Sequence, residues 1–240
     1  MDASALVQHY GLSADVAGRL CSRPAPLNNA YWTGKTEYLA GSLGYFFLPC
    51  IIDAAFHLGI LRLADLDGFL RDAELILHYA ALEESGTISE AALWELATGI
   101  SGGSPAHFAS QMQDRFDLQS RETSPSGLIR AGAYRRADSF LFAFHRYSDH
   151  LSFSSLCEFW TALMNVFLSL DDIRDLESDL AAGASNTITE APSARVWSAT
   201  LQESVLMLAS INPTLSLTLS TFINHHLPVW NSTIKTLLSK

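Results

Sequence analysis

Charge and covalent cross-linking are both scarce in this chain. Only 17% of its 240 residues are Asp, Glu, Lys or Arg, and it has three cysteines. Cys21, Cys50 and Cys157 form no CxxC pair and are odd in number. They read as reduced thiols, which excludes a disulfide framework and a zinc site built on paired cysteines. Lys and Arg total 15 against 25 Asp and Glu, a formal net charge of -10, and the basic residues form no cluster. Neither nucleic acid nor an anionic membrane surface is therefore an expected partner. The densest apolar run, LGYFFLPCII at 43 to 52, stops at Asp53 and contains Pro49, so no membrane span is expected. The opening MDASALVQHYGL has neither a basic n-region nor an apolar h-region, and the expected location is cytoplasmic. No GxSxG elbow and no HExxH pair occurs, which leaves serine hydrolase and zinc protease chemistry without support.

Hydrophobic residues, by contrast, make up 48% of the chain, enough for one sizeable core. Helix signals run through nearly the whole length, and no alternating strand is followed by a two-residue hairpin turn. The reading is an all-α fold, one compact helical array over residues 1 to 240. A first helix is expected over 3 to 10, and a second from Ser13 to about Cys21. After the irregular connector SRPAPLNNAYWTG comes a long apolar region from about Thr36 to Leu63, bent where Pro49 removes a backbone donor. Turn clusters at 84–86, 101–105, 124–127, 183–192 and 212–213 divide the chain into about eight to ten helices.

The stretch LSLDDIRDLESDLAAG, 168 to 183, places Asp171, Asp172, Asp175 and Asp179 within nine residues, directly behind an apolar run. No Gly, Pro or turn cluster separates Phe153 from Asp171, so the simplest parse is one helix over 151 to 182. The alternative is a new helix starting at Asp171, with that residue as its cap and Arg174 paired with an acid. On a single helix, steps of about 100° put Asp171 at 0°, Asp175 near 40°, Asp179 near 80° and Asp172 near 100°. All four then share one face, continuous with Leu168, Met164, Thr161, Trp160 and Cys157. Two carboxylates about 6 Å apart repel by roughly 3 kcal/mol at an effective dielectric near 20. A convergent set needs protons, basic partners or hard cations, Mg²⁺ first.

The run FLSLDDIRDLESDLAAG resembles the second aspartate-rich motif of trans-prenyl diphosphate synthases. It is similar as well to the metal motif of class I terpene synthases, satisfied by Asp171, Asp175 and Asp179, and its Arg174-Asp175 pair followed by Asp179 resembles squalene and phytoene synthases. The resemblance implies an isoprenoid synthase fold and a terpene cyclase that ionises an allylic isoprenoid diphosphate such as farnesyl diphosphate, with a prenyltransferase as the alternative. It also implies Mg²⁺ held by Asp171, Asp172, Asp175 and Asp179. A first Asp-Asp-x-x-Asp string is absent, and Asp65 and Asp67 in ADLDGFLRD are assigned that role; the lone Asp53 reads as a structural acid. Candidate diphosphate contacts are Lys35, in a Gly-Lys pair, and Arg130 or Arg135, with Arg136 beside it. Asp175 and Trp160, the latter as a cation-stabilising aromatic on the acid stripe, are the catalytic candidates. His225-His226 reads as structural. The other class is a non-catalytic helical protein, either an inactive relative of the synthases or an interaction module whose acidic face binds a basic partner; a homodimer is an allowed assembly. The two classes differ in one feature: a synthase needs the acids to face an enclosed cavity, an interaction module needs them on open surface.

Overall fold

The structure, a computed structural model, describes residues 2–39, 43–100, 112, 138–147, 150–184, 186–191 and 193–237. Among these residues there is no strand, only one isolated bridge between Pro24 and Glu37. The fold is all-α, as the sequence predicts.

Two short helices open the chain, α1 (Ala3–Tyr10) and α2 (Ala14–Ser22). Asp2 caps the first by accepting from the Ala5 N–H at 2.8 Å, satisfying a donor that the first turn cannot pair. Helix α3 (Leu43–His57) carries Pro49 inside it and begins seven residues later than the hydrophobic pattern suggested. The segment before it is a turn at Ala30–Trp32 and an extended strap, in which Trp32 Nε1 donates to the Tyr38 carbonyl at 2.9 Å. Local hydrogen bonding there overrides apolar content as a helix signal. Helices α4 (Leu66–Glu84) and α5 (Glu90–Ile100) follow. The buried 3₁₀ segment Ser139–Phe144 packs on both of them.

Helix α6 (His150–Ala182) runs unbroken for 33 residues, about 50 Å at 1.5 Å per residue. Asp171 therefore lies within a helix and does not start one. Short α7 (Thr187–Glu190), then α8 (Ala194–Leu208) and α9 (Pro213–Leu237), complete the chain. Helix α6 packs on α3 and α8, and α8 packs on α9. By length and composition Leu151–Ala182 could cross a membrane, a stretch longer than the densest apolar run at 43 to 52. Half of its apolar window is buried inside this fold, and its apolar side chains are core: Leu156, Trp160, Leu163 and Val166 are each fully buried.

Asp53 is fully buried on α3 and accepts from the Ser13 N–H at 2.8 Å, tying α3 to the start of α2. Its other oxygen lies 3.2 Å from His57 Nε2, without the alignment of a hydrogen bond. Close by, the end of α1 meets the start of α9. Gly11 closes α1 with φ 68°, and Asn212 donates from Nδ2 to the Tyr10 carbonyl while its Oδ1 caps α9 through the Leu215 N–H. A Cβ on Gly11 would stand 2.5 Å from Thr214 Cβ and 2.6 Å from Asn212 Oδ1. Both a left-handed backbone and close approach demand glycine there. Gly11→Ala should cost about 2–4 kcal/mol and lower Tm by roughly 5–15 °C in a thermal melt; an unchanged Tm would show that the α1–α9 contact yields without cost.

Candidate functional site

The acidic end of α6 is where the sequence concentrates chemistry, and the structure divides its four carboxylates into two pairs with different occupations. Asp171 and Asp175, one turn apart, both reach Arg174. The Arg174 Nη2 lies 2.6 Å from Asp171 Oδ1 and 3.2 Å from Asp175 Oδ2, and Nε donates to Asp175 Oδ1 at 3.0 Å. The side chains of Asp171 and Asp175 are 45% and 44% exposed, so this is an open ion-pair triad.

Asp172 and Asp179 turn the other way and hold the connection that follows the helix. The Thr187 N–H donates to Asp172 Oδ2 at 2.7 Å. Fully buried Asn186 donates from Nδ2 to Asp179 Oδ2 and to the Asp172 carbonyl, each at 2.8 Å, and its Oδ1 caps α7 by accepting from the Ile188 N–H. The chain reverses after Gly183, which has φ 62°, and Asn186 locks the reversal. An Asn ahead of Thr-Ile-Thr-Glu is a legible cap signal; that it would also take Asp172 and Asp179 as partners was not readable, because those contacts join residues 7 and 14 apart across a turn.

Electrostatics follow this division. Loss of hydration pushes the Asp171 carboxyl above its ordinary range. Arg174 pulls it down, while Asp175, Asp172 and Asp179 push it further up. Its neighbour Asp175 is held below the ordinary range, first by the hydrogen bond from Arg174. Asp65 and Asp67 pair with other residues. Those two residues stand at the start of α4, which packs chiefly on the 139–144 segment, α5 and the Ala30–Trp32 turn. Asp65 pairs with Arg62 at 2.7 Å, and Asp67 lies 3.6 Å from Arg19 and 3.8 Å from Arg23.

The remaining candidates are dispersed. Trp160 is fully buried, donating from Nε1 to Asp138 Oδ1 at 2.5 Å, stacked on Phe140 at 5.8 Å and met edge-on by Phe47 at 5.4 Å. Rings fill the space where a substrate cation would sit against it. Lys35 is exposed in the strap after the Ala30–Trp32 turn. Arg130, Arg135 and Arg136 lie outside the described residues. His225 and His226 sit on α9, where His226 stacks on Trp230 at 5.6 Å.

A Mg²⁺ ion would keep several waters and take one or two of these carboxylates. Among the described residues no three His, Cys, Asp or Glu side chains are grouped to hold a metal, and each acid of the motif already has a protein partner. Binding through Asp171 or Asp175 would compete with Arg174, and through Asp172 or Asp179 with the Thr187 N–H and Asn186. Among the described residues clefts form elsewhere, including one of about 340 Å³ lined by Cys21, Arg23, Glu37 and Tyr38 and another of about 220 Å³ between α8 and α9. None of the four acids lines either cleft.

Comparison with protein-family models, with curated proteins and with solved structures finds no match to this chain.

Two outcomes test the division of labour. Asn186→Ala removes three hydrogen bonds from a buried site and should cost about 2–4 kcal/mol, read as loss of Tm. In pH-dependent melts, the raised Asp171 carboxyl favours the folded state at low pH and loses that advantage as pH rises through its folded value. Asp175, depressed, stabilises above its unfolded value and loses that as pH falls through its folded value. The Tm difference of Asp171→Asn from the parent should therefore move in the stabilising direction between pH 3 and pH 7, and that of Asp175→Asn in the destabilising direction. Parallel pH profiles would refute the assignment.

Proposed function

We propose that this chain is a helical interaction protein whose acidic α6 end is a binding surface, the non-catalytic reading of the motif. The observation that carries it is the occupation of the four carboxylates. Asp171 and Asp175 stand half-exposed around Arg174, and Asp172 and Asp179 hold Asn186 and Thr187. The stripe that would form the wall of a reaction cavity, Trp160 and Met164, is instead packed core. A surface of this kind, on a chain with net charge -10, suits a Lys- or Arg-rich partner, whose cations can exchange with Arg174 at little desolvation cost because the carboxylates remain wet.

A second reading, a Mg²⁺-dependent class I cyclase or prenyltransferase acting on an allylic isoprenoid diphosphate, draws support from one observation. Beyond loss of hydration, the largest cause, Asp175, Asp172 and Asp179 push the Asp171 carboxyl up, a repulsion that a divalent cation would relieve. The ion would supply Lewis acidity to a departing diphosphate. Asp171 and Asp175 would have to release Arg174 to hold it.

Release of diphosphate from geranyl, farnesyl and geranylgeranyl diphosphates, with and without Mg²⁺, separates the two. The expected result is no Mg²⁺-dependent release, together with salt-sensitive binding of a Lys-rich peptide that Asp171→Asn/Asp175→Asn weakens several-fold. Mg²⁺-dependent turnover abolished by Asp175→Asn would overturn the interaction reading and establish the synthase.

A further inference from the structure

The Ala30–Trp32 turn and the strap behind it are fastened to α4 by side-chain hydrogen bonds. Asn29 donates from Nδ2 to the Glu74 carbonyl at 2.8 Å, while its Oδ1 accepts from the Tyr31 N–H and caps the turn. Arg23, just after α2, donates to both carboxylate oxygens of Glu74, at 2.5 and 3.1 Å. A further bond ends on a ring: the Ala30 N–H donates to His78 Nδ1 at 2.9 Å. What these bonds position is core. Trp32 and Tyr38 are each 2% exposed and stack with ring centres 5.0 Å apart.

The bond to the ring fixes the chemical state of its acceptor. A backbone N–H only donates, so Nδ1 presents its lone pair and the imidazole is neutral, with its proton on Nε2. Protonation at Nδ1 turns the acceptor into a donor and sets N–H against N–H. The bond is then removed outright, and the Ala30 amide loses its partner. The other ties lack this sensitivity near neutral pH: an amide and a backbone carbonyl take no proton there, and guanidinium and carboxylate groups ordinarily change charge outside that range. His78 is half-buried, which leaves it open to protons from solvent. Around it on α4 stand Glu74, one turn back, and Tyr79, whose ring lies at 5.4 Å. The elements packed on α4 contribute Tyr31 in the turn, Asp65 ahead of the helix, and Glu90 and Glu95 on α5, and the segment Ser139–Phe144 carries no titratable group. A charge arriving on His78 therefore has Glu74 as its neighbour one turn away, already engaged by Arg23.

We propose that His78 is a proton-operated latch: neutral, it holds the Ala30–Trp32 turn on α4, and protonated, it lets the turn go. The sign follows from the bond. The held form takes no proton at Nδ1 and the released form does, so holding is favoured as pH rises and lost as pH falls, across the span of about pH 5 to 8 in which an imidazole ordinarily changes charge. Release reaches the cleft of about 340 Å³, because Thr36, Glu37, Tyr38 and Leu39 of the strap form one of its walls and the stretch from Leu20 to Pro24 forms the other. The two walls meet at the bridge between Pro24 and Glu37. Acidification thus loosens the Trp32–Tyr38 packing from the turn side and alters the cleft. Helix α4 itself stays folded, anchored by its buried Ala73, Ile76 and Leu77. This inference does not rest on the reading of the α6 acids, and the two can fail separately.

Proton–nitrogen NMR of the full chain, titrated from about pH 8 to about pH 5, tests it. The expected result is that the Ala30 amide and the Trp32 indole Nε1–H shift together with the His78 Cε1–H, at one midpoint. Protection of the Ala30 amide from hydrogen exchange, corrected for the intrinsic rate, should fall about tenfold over the same range. His78→Asn supplies the control: its Oδ1 stands near the position of Nδ1 and accepts an N–H, but takes no proton, so the Ala30 and Trp32 signals should no longer respond to pH. Ala30 and Trp32 signals that stay fixed while His78 titrates, a His78 ring that remains neutral throughout, or the same movement in His78→Asn overturns the proposal.

Discussion

A 33-residue helix that is core for most of its length and acidic at its end imposes the constraint on which the rest of this structure depends. Burial of Leu156, Trp160, Leu163 and Val166 obliges helices on more than one side of α6, and α3 and α8 supply them. The hydrophobic contribution of each such side chain is about 1.5–3 kcal/mol, so the register of α6 is held firmly by its buried part. The acids then emerge where that register leaves them. Their positions follow from packing some distance away, and Arg174, Asn186 and Thr187 are arranged around them.

Charge on the emerging end is handled by two means with different consequences. Arg174 neutralises Asp171 and Asp175 in the open, where an ion pair is weak and exchangeable. Asn186 and the Thr187 N–H engage Asp172 and Asp179 where water is partly excluded, and there the same hydrogen bonds become structural. One helix end thus offers an exchangeable surface on one side and a fixed hinge point on the other. The interaction reading grows from the first side, and the path of the chain into α7 and α8 from the second.

Neutrality is as informative as charge in this molecule. In α9 every outward position from Thr214 to Val229 is uncharged, although the chain as a whole is strongly acidic. The acidic and neutral surfaces lie on different helices, α6 and α9.

The sequence by itself determined the all-α class, the bounds of α1 and α6 and the buried character of residues 156 to 170, because periodicity and capping act within a few residues of one another. It also identified Asp53 as a structural acid. Tertiary structure decided how the acids are used. Whether Asp172 meets a metal or the Thr187 N–H depends on the path of a turn fifteen residues downstream, and whether Trp160 lines a cavity or fills one depends on Phe140 and Phe47, which arrive from other segments. A motif specifies spacing along one helix, and function depends on what the rest of the chain brings against it.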